Sequence, residues 1–387
     1  MITVDRKEFS HALDLAATVV QRCNTIPILS TIKATANGSL TLESCDLDRF
    51  ARVEMAYDGD EGEFVIAEPR GLRSAINAAG ATETTLTKQD KRLAVSCGAF
   101  DASLTTMAAD DHPAMERVQD ERFGCDISAT ELRQIARVVP AISREETRYY
   151  LNGICVDKVS EWLYRFVATD GHRLFWVDVP LPGANGALDE KIIVPRAFLD
   201  VALARFVKAK EVIRLSFGGI APTNQRGKTL DTSKGGSPRF ALSADLGKLR
   251  FTLTTKLIDG NYPDYTRVIP TDATHVTRVK RRDLVQAIKA LTPIATEKTR
   301  AVKLHFSEGK VRLSLRSPDN GDAGFEIASE GHAATIEIGF NGQYLLGCAN
   351  SLTGDEVEFQ MTDAGAATKI IDPADTAFGT VLMPMRV

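Results

Sequence analysis

One pattern recurs along this chain, and it narrows the folds open to it. Glu8-Phe9 opens an apolar helical pattern near the N-terminus, and Glu131-Leu132 and Asp283-Leu284 take the same place in two later stretches. Ser44-Cys45-Asp46-Leu47-Asp48-Arg49-Phe50 returns as Ala168-Thr169-Asp170-Gly171-His172-Arg173-Leu174, so Asp46 meets Asp170, Arg49 meets Arg173 and Phe50 meets Leu174. Pro69-Arg70 and Pro195-Arg196 each start a further helix, because proline is favoured at the first helical position. The third copy begins near Val276 and is degenerate in its middle. At 387 residues the chain is too long for one ordinary core. It reads as three α+β units of βαβββ type, with expected domains at 1–123, 124–272 and 273–387.

Local signals fill in the units. Phe9, Leu13, Ala16 and Ala17 share one face of a helix expected over 7–20. Asn37-Gly38 between two alternating runs marks a hairpin. A helix is expected from Pro69-Arg70 to about Ala79, and another near 341–351. Strands are expected over 302–306 and 310–315. The longer interval between the second and third copies has a home in 217–238, rich in Gly, Ser and Thr and without hydrophobic period. This basic loop insertion, about 218–238, carries Arg226, Lys228, Lys234 and Arg239. Arg226-Gly227-Lys228-Thr229 resembles half of a phosphate-binding loop, but Pro222 stands where the motif needs glycine.

Such units can stand side by side with sheets joining across their boundaries. Three per chain do not say whether the chain closes; a two-fold dimer would close into a six-unit ring without free sheet edges. Net charge is −4, which excludes indiscriminate nucleic-acid binding but not a local basic surface. Basic residues fall on helices in every unit: Lys7, Arg22, Arg70 and Arg73; Arg133, Arg137, Arg196 and Arg205; Lys280, Arg281, Arg282 and Lys289. Arg133 and Arg137 are spaced to share a helical face. Together they describe a surface that binds phosphates without reading sequence. Six scattered cysteines lack any Cys-x-x-Cys spacing, so neither a zinc site nor a redox pair is expected. Reduced thiols, no signal-peptide core and no apolar run near the ~20 residues of a bilayer span point to a cytoplasmic protein.

The stretch around Arg148-Tyr149-Tyr150 and Asp170-Gly171-His172 divides the functional readings. It is expected to form two antiparallel strands, the first beginning with Arg-Tyr-Tyr, joined across the polar segment 157–161. A catalytic reading takes Asp170 and His172, two apart on a strand, as sharing a face. No Gly-x-Ser-x-Gly elbow accompanies them, and the Asp/Arg pair recurs in the first unit without its histidine. A binding reading takes the tyrosine rings as surfaces for bases or sugars, against strand packing as the plain alternative.

Four motifs in order carry a family resemblance: Arg148-Tyr149-Tyr150-Leu151-Asn152-Gly153; Ala168 through Leu174 as quoted; Lys256-Leu257-Ile258-Asp259-Gly260-Asn261-Tyr262-Pro263-Asp264-Tyr265 with Arg267-Val268-Ile269-Pro270; and Met383-Pro384-Met385-Arg386-Val387. The chain resembles the bacterial DNA polymerase III β subunits, the sliding clamps, over essentially its whole length. The resemblance implies a head-to-tail homodimer forming a closed six-domain ring, helices inside and sheets outside. Such a ring encircles duplex DNA and makes the polymerase processive. It implies no catalysis, cofactor, metal or membrane, and as partners the DNA polymerase III catalytic subunit, an ATP-driven clamp loader and other proteins bearing a clamp-binding motif.

It also implies a peptide pocket between the second and third domains. Carried over by motif, the pocket uses Leu151, Thr169, Gly171, His172, Arg173, Leu174, Pro263, Arg267, Val268, Asn341, Tyr344, Val381, Leu382, Met383, Pro384, Met385 and Arg386. The implied DNA contacts are Arg148, Tyr149 and Tyr150, with Arg22 beside the first-domain position; the helix arginines 70, 73, 133, 137 and 196 join them. Leu104 and Ile294 match the dimer seam. The chain departs from the family at Ala102 in the seam, and at Thr299 and Ala364-Gly365-Ala366-Ala367 in the pocket. These departures describe a divergent clamp, a second copy or a mobile-element version, and leave open a clamp-like binder that no longer encircles DNA.

Overall fold

A computed structural model describes residues 1–21, 24–186, 188, 190–220, 237–294, 301–317, 320–331 and 335–385. Its contacts gather into two compact units rather than one per sequence repeat: 1–133 with 181–189 and 194–257, and 134–180 with 190–193 and 258–387. The sheets explain the number. In the first unit one antiparallel sheet runs through both of its repeats, because strand Arg49–Met55 pairs with strand Leu249–Lys256, Phe251 opposite Val53 and Leu253 opposite Ala51. In the second unit strand Arg173–Pro180 pairs with strand Phe378–Leu382, Leu174 opposite Val381. The central repeat thus gives part of its strands to each sheet.

Helices α1 (Arg6–Ala16), α2 (Pro69–Ala79) and α4 (Arg196–Phe206) belong to the first unit. Helices α5 (Arg281–Leu291) and α6 (Gly342–Ser351) belong to the second, and α3 (Ala129–Ala136) lies where the chain leaves the first. Their starts follow local rules. The Asp5 side chain accepts from the Glu8 amide at 2.9 Å. Ser128 and Glu131 exchange side-chain and backbone bonds in a capping box at α3. Pro69 opens α2, and Gly80, left-handed at φ 72°, closes it.

Helix α1 buries the expected face of Phe9, Leu13, Ala16 and Ala17. It stops at Ala16 rather than running to 20, because Thr18, Val19 and Val20 are β-branched and Thr18 turns its hydroxyl back to the Leu15 carbonyl. Gly38 turns the first hairpin at φ 69°. The strands expected near 302–306 and 310–315 form as Ala301–Ser307 and Lys310–Ser317. The segment 221–236 of the expected insertion, including the half phosphate loop, lies outside the described residues, as do Arg22, Thr299 and Arg386.

Two expectations are corrected by these elements. Arg148-Tyr149-Tyr150 do not start a strand; they lie in a 3-10 turn, Glu146–Leu151, and the strand begins at Gly153. The turn is pinned by Asn152, whose amide reaches the Tyr149 carbonyl at 2.9 Å and whose side chain reaches the Glu145 carbonyl. Nor does Arg137 join Arg133 on an exposed helix face: it follows α3, and its side chain pairs with Asp375 and donates to the Ser351 carbonyl.

Candidate functional site

The site grows from the turn between strands Leu163–Thr169 and Arg173–Pro180. Asp170 accepts the backbone amides of His172 and Arg173, both at 3.0 Å, and its second oxygen takes Arg173 Nε at 3.0 Å. The Thr169 hydroxyl donates to the Arg173 carbonyl at 2.8 Å. The Arg173 guanidinium continues to the Pro140 carbonyl. Gly171 sits at φ 87°, and a Cβ there would stand 2.5 Å from Arg148 Nη1. Glycine is favoured here by the left-handed backbone, and its bare Cα lets the Arg148 guanidinium close in.

An open cleft of about 260 Å³ lies beside this turn. The turn and the 3-10 segment supply Arg148, Tyr150, Leu151, Thr169, Gly171, His172, Arg173 and Leu174. The segment after the central repeat's last strand adds Pro263, Asp264, Tyr265 and Val268; the final strand and its exit add Val381 and Met383. All of these residues lie in the second compact unit. Beneath the cleft Cys155, Val167, Leu174, Trp176, Tyr265 and Val381 form a buried cluster, with Tyr262, Ile269 and Ala367 packed against it. Val268 and Met383 remain more than two-fifths exposed. The surface is thus apolar and accessible with a few oriented polar groups, the combination that holds a short peptide.

The polar groups are anchored. Tyr265 donates to Asp157 at 2.6 Å, and Lys191 pairs with the same carboxylate at 3.0 Å. Burial first, then Asp157, holds the Tyr265 hydroxyl well above the usual phenol range. Burial pushes the Cys155 thiol up to about 12, so it is inert packing. Arg148 pairs with Glu145 at 2.7 Å, and that bond holds its guanidinium above its ordinary range. His172 stacks on Tyr344 with ring centroids 5.9 Å apart, and Arg173 lies 4.6 Å over the same ring.

Of the residues the resemblance implies for a pocket, Leu151, Thr169, Gly171, His172, Arg173, Leu174, Pro263, Val268, Val381 and Met383 line this cleft. Tyr344 stands behind His172. Asn341 caps α6, accepting from the Gln343 and Tyr344 amides. Leu382 is buried in the sheet, and Met385 bridges Gly339. Pro384 lies between those two without lining the cleft, and Arg267 points to solvent, paired with Asp264. Sequence reasoning assigned Arg148 and Tyr150 to DNA alone and passed over Asp264 and Tyr265. The signal was present in Tyr265, a large aromatic inside a quoted motif, and in the glycine opposite Arg148.

Asp170 and His172 do not share a strand face, the arrangement a catalytic reading requires. The pair sits in a turn, Asp170 holds backbone and Arg173, and the His172 ring faces Tyr344. The recurring Asp-x-x-Arg is a turn lock: Asp46 takes the Arg49 amide at 2.7 Å and Arg49 Nε at 2.9 Å in the first repeat.

The basic residues are held by nearby carbonyls and carboxylates. Arg70 donates to the Ala17 and Val20 carbonyls, Arg73 pairs with Asp14, and Arg196 stands 3.7 Å from Asp200. Arg133 donates to the Val207 carbonyl. Arg137 is held inside, paired with Asp375 at 2.7 Å, donating to the Ser351 carbonyl and lying over the Phe378 ring. Tyr149 is 54% exposed and meets Tyr150 edge-on. Leu104 lies on strand Phe100–Thr105, which ends the first unit's five-stranded sheet, and Ile294 closes the 3-10 turn after α5.

Family models of the DNA polymerase III beta subunit match the chain three times in order: the N-terminal domain over 1–116, the central domain over 127–264 and the C-terminal domain over 266–386. The chain belongs to the DNA polymerase III beta subunit family. The beta sliding clamp of Caulobacter vibrioides is 33% identical over 403 residues, covering 100% of both proteins. That of Escherichia coli K12 is 28% identical over 388 residues, covering 100% of this chain and 99% of the relative. Among solved structures, the sliding clamp of Bartonella birtlesii bound to griselimycin superposes with a TM-score of 0.85 at 31% identity, covering 100% of this chain and 99% of that one. The three α+β repeats are therefore the family's three domains. No helix among the described residues is long and apolar enough to cross a membrane.

Proposed function

We propose that this chain is a DNA sliding clamp: a non-catalytic homodimeric ring, helices inside and sheets outside, that encircles duplex DNA and makes the replicative polymerase processive. The observation that carries the reading is the exposed apolar cleft at Gly171, in a chain matched end to end by the three beta-subunit domain models. The cleft receives a short peptide from the DNA polymerase III catalytic subunit, the clamp loader or another protein bearing a clamp-binding motif. Leu151, Leu174, Val268, Val381 and Met383 supply its apolar wall, and Arg148, His172 and Arg173 orient the peptide backbone. Tyr149 and the helix arginines 70, 73, 133 and 196 meet DNA phosphates and sugars without reading bases. Leu104 and Ile294 sit at the dimer seam, the domains divide at 1–123, 124–272 and 273–387, and the protein works in the cytoplasm.

Retention on DNA tests the reading. With a matching loader present, the protein stays on closed circles and is lost once they are linearised, because a topological link needs no strong contact. Equal retention on both forms would sink the ring and leave ordinary affinity binding.

A further inference from the structure

A second cleft, of about 540 Å³, lies in the first unit among α1, α2 and α4. Four guanidinium groups line it, from Arg49, Arg70, Arg73 and Arg205, against the two carboxylates of Asp14 and Asp200. Arg49 is paired with Asp46 and donates to the Ala197 carbonyl, and Arg70 donates to the Ala17 and Val20 carbonyls, so both fix the walls. Arg73 and Arg205 are different. Each reaches one oxygen of the same carboxylate, Asp14, at 2.6 Å. Arg73 Nε is buried and has no acceptor among the described residues. With Arg49 answered by Asp46 and Asp200 standing 3.7 Å from Arg196, the two guanidinium groups of Arg73 and Arg205 share the single carboxylate of Asp14, and one donor is left over. His11, on α1, is kept below the ordinary imidazole range, first by burial, with Arg205 and Arg73 adding to it against Asp14.

Two guanidinium groups converging on one small anion is also how arginines grip a phosphate, which offers more charge and more acceptor oxygens than a carboxylate. We propose that this cleft is a phosphate site, and that Asp14 fills the anion's place until a phosphate displaces it. Asp14 then acts as an internal competitor: it holds the two arginines in position but taxes binding, since the displaced carboxylate stays near the bound anion. The phosphate comes either from the backbone of a duplex or from free phosphate in solution. As applied to duplex DNA the proposal rests on the sliding-clamp reading; as a statement about the cleft it does not.

The test compares the full chain with Asp14→Asn, and with Asp110→Asn, which makes the same charge change at an exposed residue away from the cleft. Affinity for a short linear duplex and for inorganic phosphate is measured across a salt series. Asp14→Asn is expected to bind about tenfold tighter at low salt, the order of effect of removing one nearby like charge. Its salt slope should steepen by about 0.9 for each added phosphate contact. Asp110→Asn should match the parent, and adding Arg73→Gln with Arg205→Gln to Asp14→Asn should abolish the gain. Tightening for inorganic phosphate as well as duplex supports an isolated anion site; tightening for duplex alone supports a backbone site. Equal affinity of the Asp14 and Asp110 variants, or a gain that survives loss of both arginines, overturns the proposal. Thermal melting checks folding, with Asp14→Ser as the second variant. Retention on closed and linearised circles is measured beside these. Its failure would sink the clamp reading and leave the cleft result standing.

Discussion

The turns Asp46-Leu47-Asp48-Arg49 and Asp170-Gly171-His172-Arg173 are built alike and end differently. In each, aspartate takes two backbone amides and an arginine, and the arginine reaches a distant carbonyl, of Ala197 in one case and Pro140 in the other. In each, the second residue is left-handed, Leu47 at φ 75° and Gly171 at φ 87°. The segment beyond each repeat's last strand makes the difference. In the first repeat Ala109 and Met115 pack onto a cluster of Ile28, Leu29, Cys45, Phe50 and Val65. In the second, Pro263, Tyr265 and Val268 line an open cleft, and Gly171 admits the Arg148 guanidinium. The lock is structural and shared, whereas the cleft depends on the residues hung around it.

The largest effect should come from removing the lock. Asp46→Ala and Asp170→Ala each leave a partly buried arginine and two amides unpaired, so each should lose about 2 kcal/mol of stability. Chemical denaturation should give similar losses, and only Asp170→Ala should weaken a clamp-binding peptide. A large difference in stability loss would break the equivalence of the turns.

Gly171→Leu sharpens the contrast. The left-handed backbone should cost about 1 kcal/mol, and Arg148 must move away. Peptide affinity, followed by fluorescence anisotropy, should fall at least tenfold while thermal melting shifts modestly. Unchanged affinity would remove Gly171 and Arg148 from the site.

The reverse change, Leu47→Gly, relieves the same strain in the first turn, offset by the greater freedom of glycine in the unfolded chain. A gain of about 0.5 kcal/mol is expected by denaturant titration, with no effect on peptide binding.

The smallest effect is in pH. His112, buried in the segment between Ala109 and Met115, is held below the ordinary imidazole range, mainly by burial, against a hydrogen bond to the Pro113 carbonyl. The unfolded chain therefore takes up the proton first as pH falls below about 6.5, and stability drops from there until the folded pKa is passed. His112→Gln should flatten that slope. A slope unaltered in the variant would place the acid sensitivity elsewhere.

Much of this was legible in the sequence where the cause is local. Pro69 opening α2, Asn341 before α6 and Gly38 between strands are rules of backbone geometry, and the recurrence of Asp-x-x-Arg announced a shared turn. The motifs also marked most of the cleft's lining. The features that escaped depend on distant partners. Arg137 finds Asp375 at a separation of 238 residues, so nothing in its own surroundings removes it from the helix surface. Arg148 closes on the bare Cα of Gly171, a relation no periodicity carries. The 3-10 turn at Glu146–Leu151 is held by Asn152, in a stretch whose aromatic residues look like a strand.

Because one sheet in each compact unit runs on from one repeat into the next, the repeat is not the unit of assembly. A fragment cut at 124 and 272 would carry strand Leu249–Lys256 without Arg49–Met55, and strand Arg173–Pro180 without Phe378–Leu382. Both bare edges would invite aggregation, and the floor under Gly171 would lose Val381. Grafting that fragment between relatives is therefore expected to fail where exchange of the whole chain succeeds. The middle copy takes its walls from its neighbours.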